Sequence, residues 1–174
     1  MTEVVLRPAT AGDFARIVEL NAAEVVQTSA MGLARLRLLG GLAAYHKVAE
    51  VDGRIAAFVL AMDHAAAYDN DNFRWFAARY PRFLYVDRIV VDAGHAGLGI
   101  GSRLYRDLFE HARRAGIGML VCEYNLDPPN PASAAFHARF GFVEVGARRL
   151  ADGSKRVSMQ AADIPSHDST GTTA

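Results

Sequence analysis

The stretch from Phe83 to Gly116 restricts the fold more than any other part of the chain. Phe83 to Val91 read as a strand that ends in Ile89-Val90-Val91. Glycines crowd the turn from Gly94 to Gly101, and a helix follows at once. Leu104, Tyr105, Leu108, Phe109 and Ala112 form its apolar stripe. Arg103, Arg106, Asp107, Glu110 and Arg113 form its polar face. Gly116 stands where a left-handed cap ends a helix. A strand that feeds straight into an amphipathic helix shares one core with it, so layered α and β structure is required.

The flanking sequence extends this pattern. Val4 to Leu6 form a short strand before Pro8, and Phe14, Ile17, Val18 and Leu20 recur at helical spacing. A second helical stretch carries Leu33, Leu36, Leu39 and Leu42, weakened by Gly40-Gly41. Val48 to Met62 predict a hairpin about Asp52-Gly53, a pair that supplies the positive φ of a type I′ turn. The segment Asp63 to Pro81 is polar and aromatic, and a connection that long is functional or partly helical. Met119 to Tyr124 predict a further strand. Asn130 is placed as an N-cap and Pro131 as the first residue of a short helix that stops at Gly141. Phe142 to Val145 and Arg156 to Met159 predict a closing strand pair about Asp152-Gly153. From Ile164 the chain turns small and polar, which predicts a disordered tail over 164–174 behind one domain over 1–163. The fold class is α/β, with a single mixed sheet.

Charge and cysteine content narrow the function. The 174 residues carry 19 basic and 19 acidic side chains, so the basic excess of a nucleic-acid binder or a membrane-surface protein is lacking. No nucleic-acid or membrane partner is expected. Cys122 is the single cysteine, which excludes an internal disulfide and a zinc site built on thiolates. No His, Asp or Glu group has metal-ligand spacing, and no metal is expected. Without a signal peptide or an apolar run of membrane length, the reading is a soluble cytoplasmic protein.

The chemistry concentrates in the glycine turn. First-turn amides of a helix lack intrahelical partners and carry partial positive charge. Glycines let a pyrophosphate approach them. A Walker A loop fails here, because Ser102 and Arg103 follow Gly101 where Lys-Ser or Lys-Thr is needed. A dinucleotide turn fits better at Gly97, Gly99 and Ser102, with Glu123 near the place of a ribose-binding acid. Five residues, Asp92 to Ala96, nevertheless separate the strand from its first glycine.

A third pattern fits the whole chain. Tyr85 to Val91, then Ala96-Gly97-Leu98-Gly99-Ile100-Gly101-Ser102-Arg103-Leu104, then Asn130 to His137 leading to Phe140-Gly141-Phe142, resemble the GCN5-related N-acetyltransferases, the GNAT family. The resemblance covers residues 4 to 160. It implies a GNAT-like α+β domain whose mixed, mostly antiparallel central sheet is flanked by helices. It also implies acetyl-CoA as co-substrate and direct transfer to a primary amine of a small molecule or peptide. A homodimer is compatible with it. The family's Arg or Gln stands at Ala96 here, and the tyrosine often found four residues before the Gly-Phe glycine is His137.

By that resemblance, the pantetheine arm lies along Ile89, Val90 and Val91 like an added strand. The pyrophosphate lies on the turn formed by Ala96, Gly97, Leu98, Gly99, Ile100, Gly101 and Ser102. Asn130, with Ser133 and Phe136, completes the cofactor side. An ammonium must lose a proton before it attacks. Glu123 is the first candidate to accept it and Asp87 the second. Their alternative role is a salt bridge, with Arg88 as partner. His137 is the candidate donor to the departing thiolate, against a role as a packed surface histidine. Asp69 and Asp71 can attract a cationic amine, and Tyr68 and Trp75 can wall it, unless they are an ordinary loop with a buried aromatic anchor. Two other classes compete with the transferase. The departures at Ala96 and His137 point to a non-catalytic acyl-CoA-binding module, and the glycine turn alone points to a dinucleotide-dependent oxidoreductase.

Overall fold

The computed structural model describes residues 2–166 and builds a single sheet from seven strands. The elements follow in the order β1 (Val4–Pro8), α1 (Phe14–Ala22), α2 (Leu33–Leu42), β2 (Ala43–Val51), β3 (Arg54–Asp63), α3 (Asp71–Ala77), β4 (Leu84–Val91), α4 (Ile100–Arg114), β5 (Met119–Asp127), α5 (Pro131–Arg139), β6 (Val143–Arg149) and β7 (Arg156–Asp163). The expected hairpin is β2–β3, and its turn residues Asp52 and Gly53 have φ of 49° and 78°. Gly40 and Gly41 do not break α2, which runs on to Leu42. The long connection is partly helical, because Asn70 caps α3 by accepting the Phe73 amide at 3.0 Å.

Strand order is β1-β2-β3-β4-β5-β7-β6. Every neighbouring pair is antiparallel except β4–β5. Ala56 to Met62 of β3 are all fully buried, as a strand covered on both faces must be. Phe58, Leu60 and Met62 pack with Ile17, Leu20, Leu36, Leu39, Phe73 and Phe76, so α1, α2 and α3 cover one face. Val59 and Ala61 pack with Tyr105, Leu108, Ala112 and Phe136, so α4 and α5 cover the other. The α4 stripe matches its sequence periodicity, and each such Leu removed from water contributes about 1.5–3 kcal/mol. Gly116 has φ of 69° and ends that helix as expected. The Ile164 amide still donates to the Gly118 carbonyl at 2.8 Å. Residues 167–174 of the expected tail lie outside the described residues.

Two irregularities of the sheet create the site. The parallel pair β4–β5 is joined only at Leu84 with Leu120 and Tyr85 with Val121, and beyond Val121 the strands part. One edge of β4 is left without a strand partner from Val86 to Val91. Across the other edge, Ala61 pairs with Val86 and Leu60 with Arg88, so Asp87 is the extra residue of a bulge. In a regular strand, successive side chains point to opposite faces. The bulge instead brings Asp87 and Arg88 together, with Arg88 Nε donating to Asp87 Oδ2 at 2.7 Å.

Candidate functional site

The parting of β4 and β5 opens a groove of about 1170 Å³. It gathers most of the residues expected on the cofactor side. Ile89, Val90, Val91, Ala96, Gly97, Gly99, Ile100, Gly101, Ser102, Asn130, Ser133 and Phe136 all line it. Leu98 is the exception, turned outward and 48% exposed. Gly99 precedes α4 with φ of 69° and has no side chain to cap it, so the first-turn amides face the groove bare. A Cβ at Gly101 would stand 3.4 Å from the Phe136 ring, so the helix start packs closely against α5. Asn130 caps α5, its Oδ1 accepting the Ser133 amide at 3.2 Å. A free strand edge beside bare helix amides fits coenzyme A, whose pantetheine amides need strand-like partners and whose pyrophosphate needs N–H donors.

Glu123 lies on β5 where the strands part, and it lines the groove. The Tyr85 hydroxyl donates to its carboxylate, 2.8 and 2.9 Å from the two oxygens. Asn72 Nδ2 donates to Oε1 at 3.0 Å. Burial pushes the Glu123 carboxyl up from its ordinary 4.5 to about 7. The Tyr85 hydrogen bond opposes that rise, and the Asp87 carboxylate adds to it. A carboxylate has about four lone-pair sites, so these two donors leave room for a third.

Asp87 is committed elsewhere. It accepts from Arg88 Nε and from the Tyr68 hydroxyl, and its side chain is 3% exposed. Arg88 is buried too and reaches across the groove floor. Its Nη1 donates to Asn21 Oδ1 and the Ser29 carbonyl, each at 3.0 Å, and its Nη2 to Ser29 Oγ at 3.1 Å. Asn125 of β5 donates to the Gln27 carbonyl at 3.4 Å and to its side-chain oxygen at 3.1 Å. These side chains pin the connection between α1 and α2 over the groove, where Glu24, Gln27, Thr28 and Ser29 form a wall.

His137 is buried between α4 and α5, and both ring nitrogens are engaged. Nδ1 lies 2.7 Å from the Ser133 carbonyl, which only accepts, so Nδ1 carries the proton. Nε2 is then unprotonated and accepts from the Tyr105 hydroxyl at 2.7 Å. Burial lowers the pKa of the ring and keeps it neutral. His137 therefore has no uncommitted proton facing the groove. Tyr124, adjacent to Glu123 on β5, lines the groove and accepts from Gln160 Nε2 at 3.1 Å. Its own hydroxyl proton remains uncommitted among the described residues.

The expected acceptor residues divide. Asp71 lines the groove and pairs with Arg74 at 3.3 Å. Tyr68, Asp69 and Trp75 do not line it. Tyr68 is a core residue whose hydroxyl serves Asp87. Asp69 is exposed and pairs with Arg35 at 3.0 Å. Trp75 lies under the Arg79 guanidinium, 3.7 Å from its ring centre, and over Gly146 of β6. The sequence reading missed Asn72, Tyr124, Asn125 and Arg148, all of which line the groove. Asn72 opens α3 one residue past Asp71, and only the fold brings it to Glu123. Among the described residues, no helix is long and apolar enough to cross a membrane.

Known proteins resemble this chain in sequence and in fold. Glucosamine 6-phosphate N-acetyltransferase 1 of Oryza sativa is 38% identical over 71 residues, 41% of this chain and 40% of that protein. N-alpha-acetyltransferase RimI of Mycobacterium tuberculosis is 42% identical over 72 residues, 41% of this chain and 42% of that protein. The matched stretch is thus about two fifths of the length of these curated relatives. Among solved structures, Ard1 of Thermoplasma volcanium superposes with a TM-score of 0.77 at 15% identity, covering 93% of this chain and 98% of its own. YncA of Salmonella typhimurium, solved with its cofactor acetyl-CoA, gives 0.69 at 20% identity, covering 98% and 99%. At such identities the structures establish the fold alone. The sequence pattern described as the acetyltransferase (GNAT) family matches residues 16–142, which is most of the chain, and the protein belongs to that family.

Proposed function

We propose that the protein moves an acetyl group from acetyl-CoA to a primary amine, of a small molecule or a peptide, by direct attack in a ternary complex. The observation that carries this reading is Glu123, raised to about 7 at the point where the groove meets the parted strands. A base with that value is about half ionised at neutral pH and still holds a proton well. It can relieve an ammonium whose own value is near 10.4. The named relatives act on amines of very different size, which is consistent with one transfer chemistry and varied acceptor walls.

Acetyl-CoA supplies an activated acyl carbon and a sulfur leaving group. The β4 edge from Val86 to Val91 binds its amide-bearing arm, and the α4 amides from Ile100 to Ser102 bind its pyrophosphate. Glu123 takes the amine proton, and Tyr85 and Asn72 hold the carboxylate in place. As the nitrogen–carbon bond forms, the carbon–sulfur bond breaks. Tyr124 then offers its hydroxyl proton to the sulfur. Asp87 acts through Arg88 as a support for the groove wall. The test is calorimetric titration with acetyl-CoA, with NADH as control, followed by thiol release over a panel of amines. Micromolar binding of acetyl-CoA alone, with amine-dependent release, supports the reading. No binding, or binding without release on any amine, overturns it.

A further inference from the structure

Arg148 of β6 is a charged side chain that the transfer step leaves unused. It is half-buried and lines the groove. One of its five N–H donors goes to Asn72 Oδ1. Among the described residues, no carboxylate lies within ion-pair distance of it. Its neighbours contrast with it. Arg149 reaches Asp127 at 3.8 Å, Asp71 is paired with Arg74, and Asp152 turns to the Ser154 amide and hydroxyl. Lys155, on the same hairpin, lines the groove and also pairs with no carboxylate among the described residues. The four unspent donors of Arg148 are not buried and stay open to the groove. Its planar fork matches a carboxylate or phosphate in two parallel hydrogen bonds.

The position of this fork is fixed relative to the base. Asn72 accepts from Arg148 through Oδ1 and donates to Glu123 through Nδ2. A single side-chain amide therefore separates the group that takes the amine proton from the group that wants an oxyanion. We propose that the acceptor is a compact primary amine bearing an oxyanion, a carboxylate or a phosphate, a few bonds from its nitrogen, and that Arg148 reads that oxyanion. This rests on the transferase reading. Lysine side chains and polyamines, which present no oxyanion beside the amine, are poor acceptors on this account.

Matched pairs of amines test it. Thiol release is measured for amino acids against their carboxamides, and for O-phosphoethanolamine against ethanolamine, at equal concentrations of free base. The expected result is a preference for the anionic member of about tenfold or more in kcat/KM. The pair with the larger ratio distinguishes a carboxylate from a phosphate. R148M collapses the ratio toward one, and R148K, which keeps the charge without the fork, leaves an intermediate ratio. Equal rates for the wild-type protein within both pairs overturn the proposal and leave the transferase reading intact. A ratio unchanged in R148M, with both members slowed alike, also overturns it and makes Arg148 a support for Asn72 only. Bound acetyl-CoA with no release on any amine overturns both readings together.

Discussion

Glu123→Gln must move activity and stability in opposite directions, and the stability change must depend on pH. The folded protein holds the Glu123 carboxyl at about 7, against an ordinary value of 4.5. The folded state therefore binds this proton more tightly than the unfolded chain does. Stability from the neutral carboxyl is fully present below 4.5 and is lost as pH rises toward about 7. At about 1.4 kcal/mol per pH unit, the loss amounts to about 3 kcal/mol. Glutamine never ionises and escapes it. For a domain of this size, 1 kcal/mol moves Tm by about 2–4 °C. The Tm of E123Q minus that of the wild-type protein should thus grow by about 6–12 °C between pH 4.5 and pH 8. Other titrating groups contribute equally to both proteins and cancel in the difference. Thermal melts at three pH values measure it. Over the same range, wild-type kcat/KM should rise with a midpoint near 7, and E123Q should lower kcat by about 10²–10⁴. A Tm difference that stays constant with pH would show that Glu123 ionises normally, and the assignment of the base would lose its support.

Three further outcomes follow from the packing. A Cβ at Gly146 would stand 2.5 Å from Trp75 Cζ2, so G146A should shift α3 and lower stability by about 1–3 kcal/mol, read as a lower Tm together with slower thiol release. Arg7 holds the Asp13 carboxyl at about 2, below its ordinary 3.8, so the stability it adds is present above 3.8 and lost as pH falls toward about 2. D13N should cost about 2 kcal/mol at neutral pH, and chemical denaturation should show that deficit vanishing near pH 2. Tyr124→Phe should lower kcat by tenfold or more, whereas H137F should act mainly on stability, by about 1–3 kcal/mol read as a lower Tm, because it orphans the Tyr105 hydroxyl. Equal loss of kcat in Y124F and H137F, at unchanged Tm, would return the proton-donor role to His137.

How far the sequence discloses this site depends on how local each part is. Asp52-Gly53, Gly116 and Asn130-Pro131 each encode a backbone geometry within a few residues, and each is found as read. The groove-lining residues expected to hold the cofactor are nearly as local, because most of them fall in one contiguous stretch from Ile89 to Ser102. The acceptor side is gathered from distant segments. Asn72 meets Glu123 across 51 positions, Arg148 meets Asn72 across 76, and Asn125 meets Gln27 across 98. No local period announces such meetings. Tyr68 and Trp75 look like walls in the sequence, but large aromatic rings are drawn into the core, and the groove is left to the small polar residues beside them. Asp87 forms the salt bridge with Arg88 that the sequence left open as its alternative role, but by a route the sequence does not show. Strand alternation would set it opposite Arg88, and one bulge turns the two into a buried pair that props the groove wall. A bulge follows from strand register, which only the assembled sheet fixes. The two sides of the groove therefore answer to different constraints. The turn and helix from Ile89 to Ser102 can persist while α3, the 23–32 connection and the β6–β7 hairpin change. On the proposed reading, acceptor choice lies in those three segments, and Arg148 belongs to one of them.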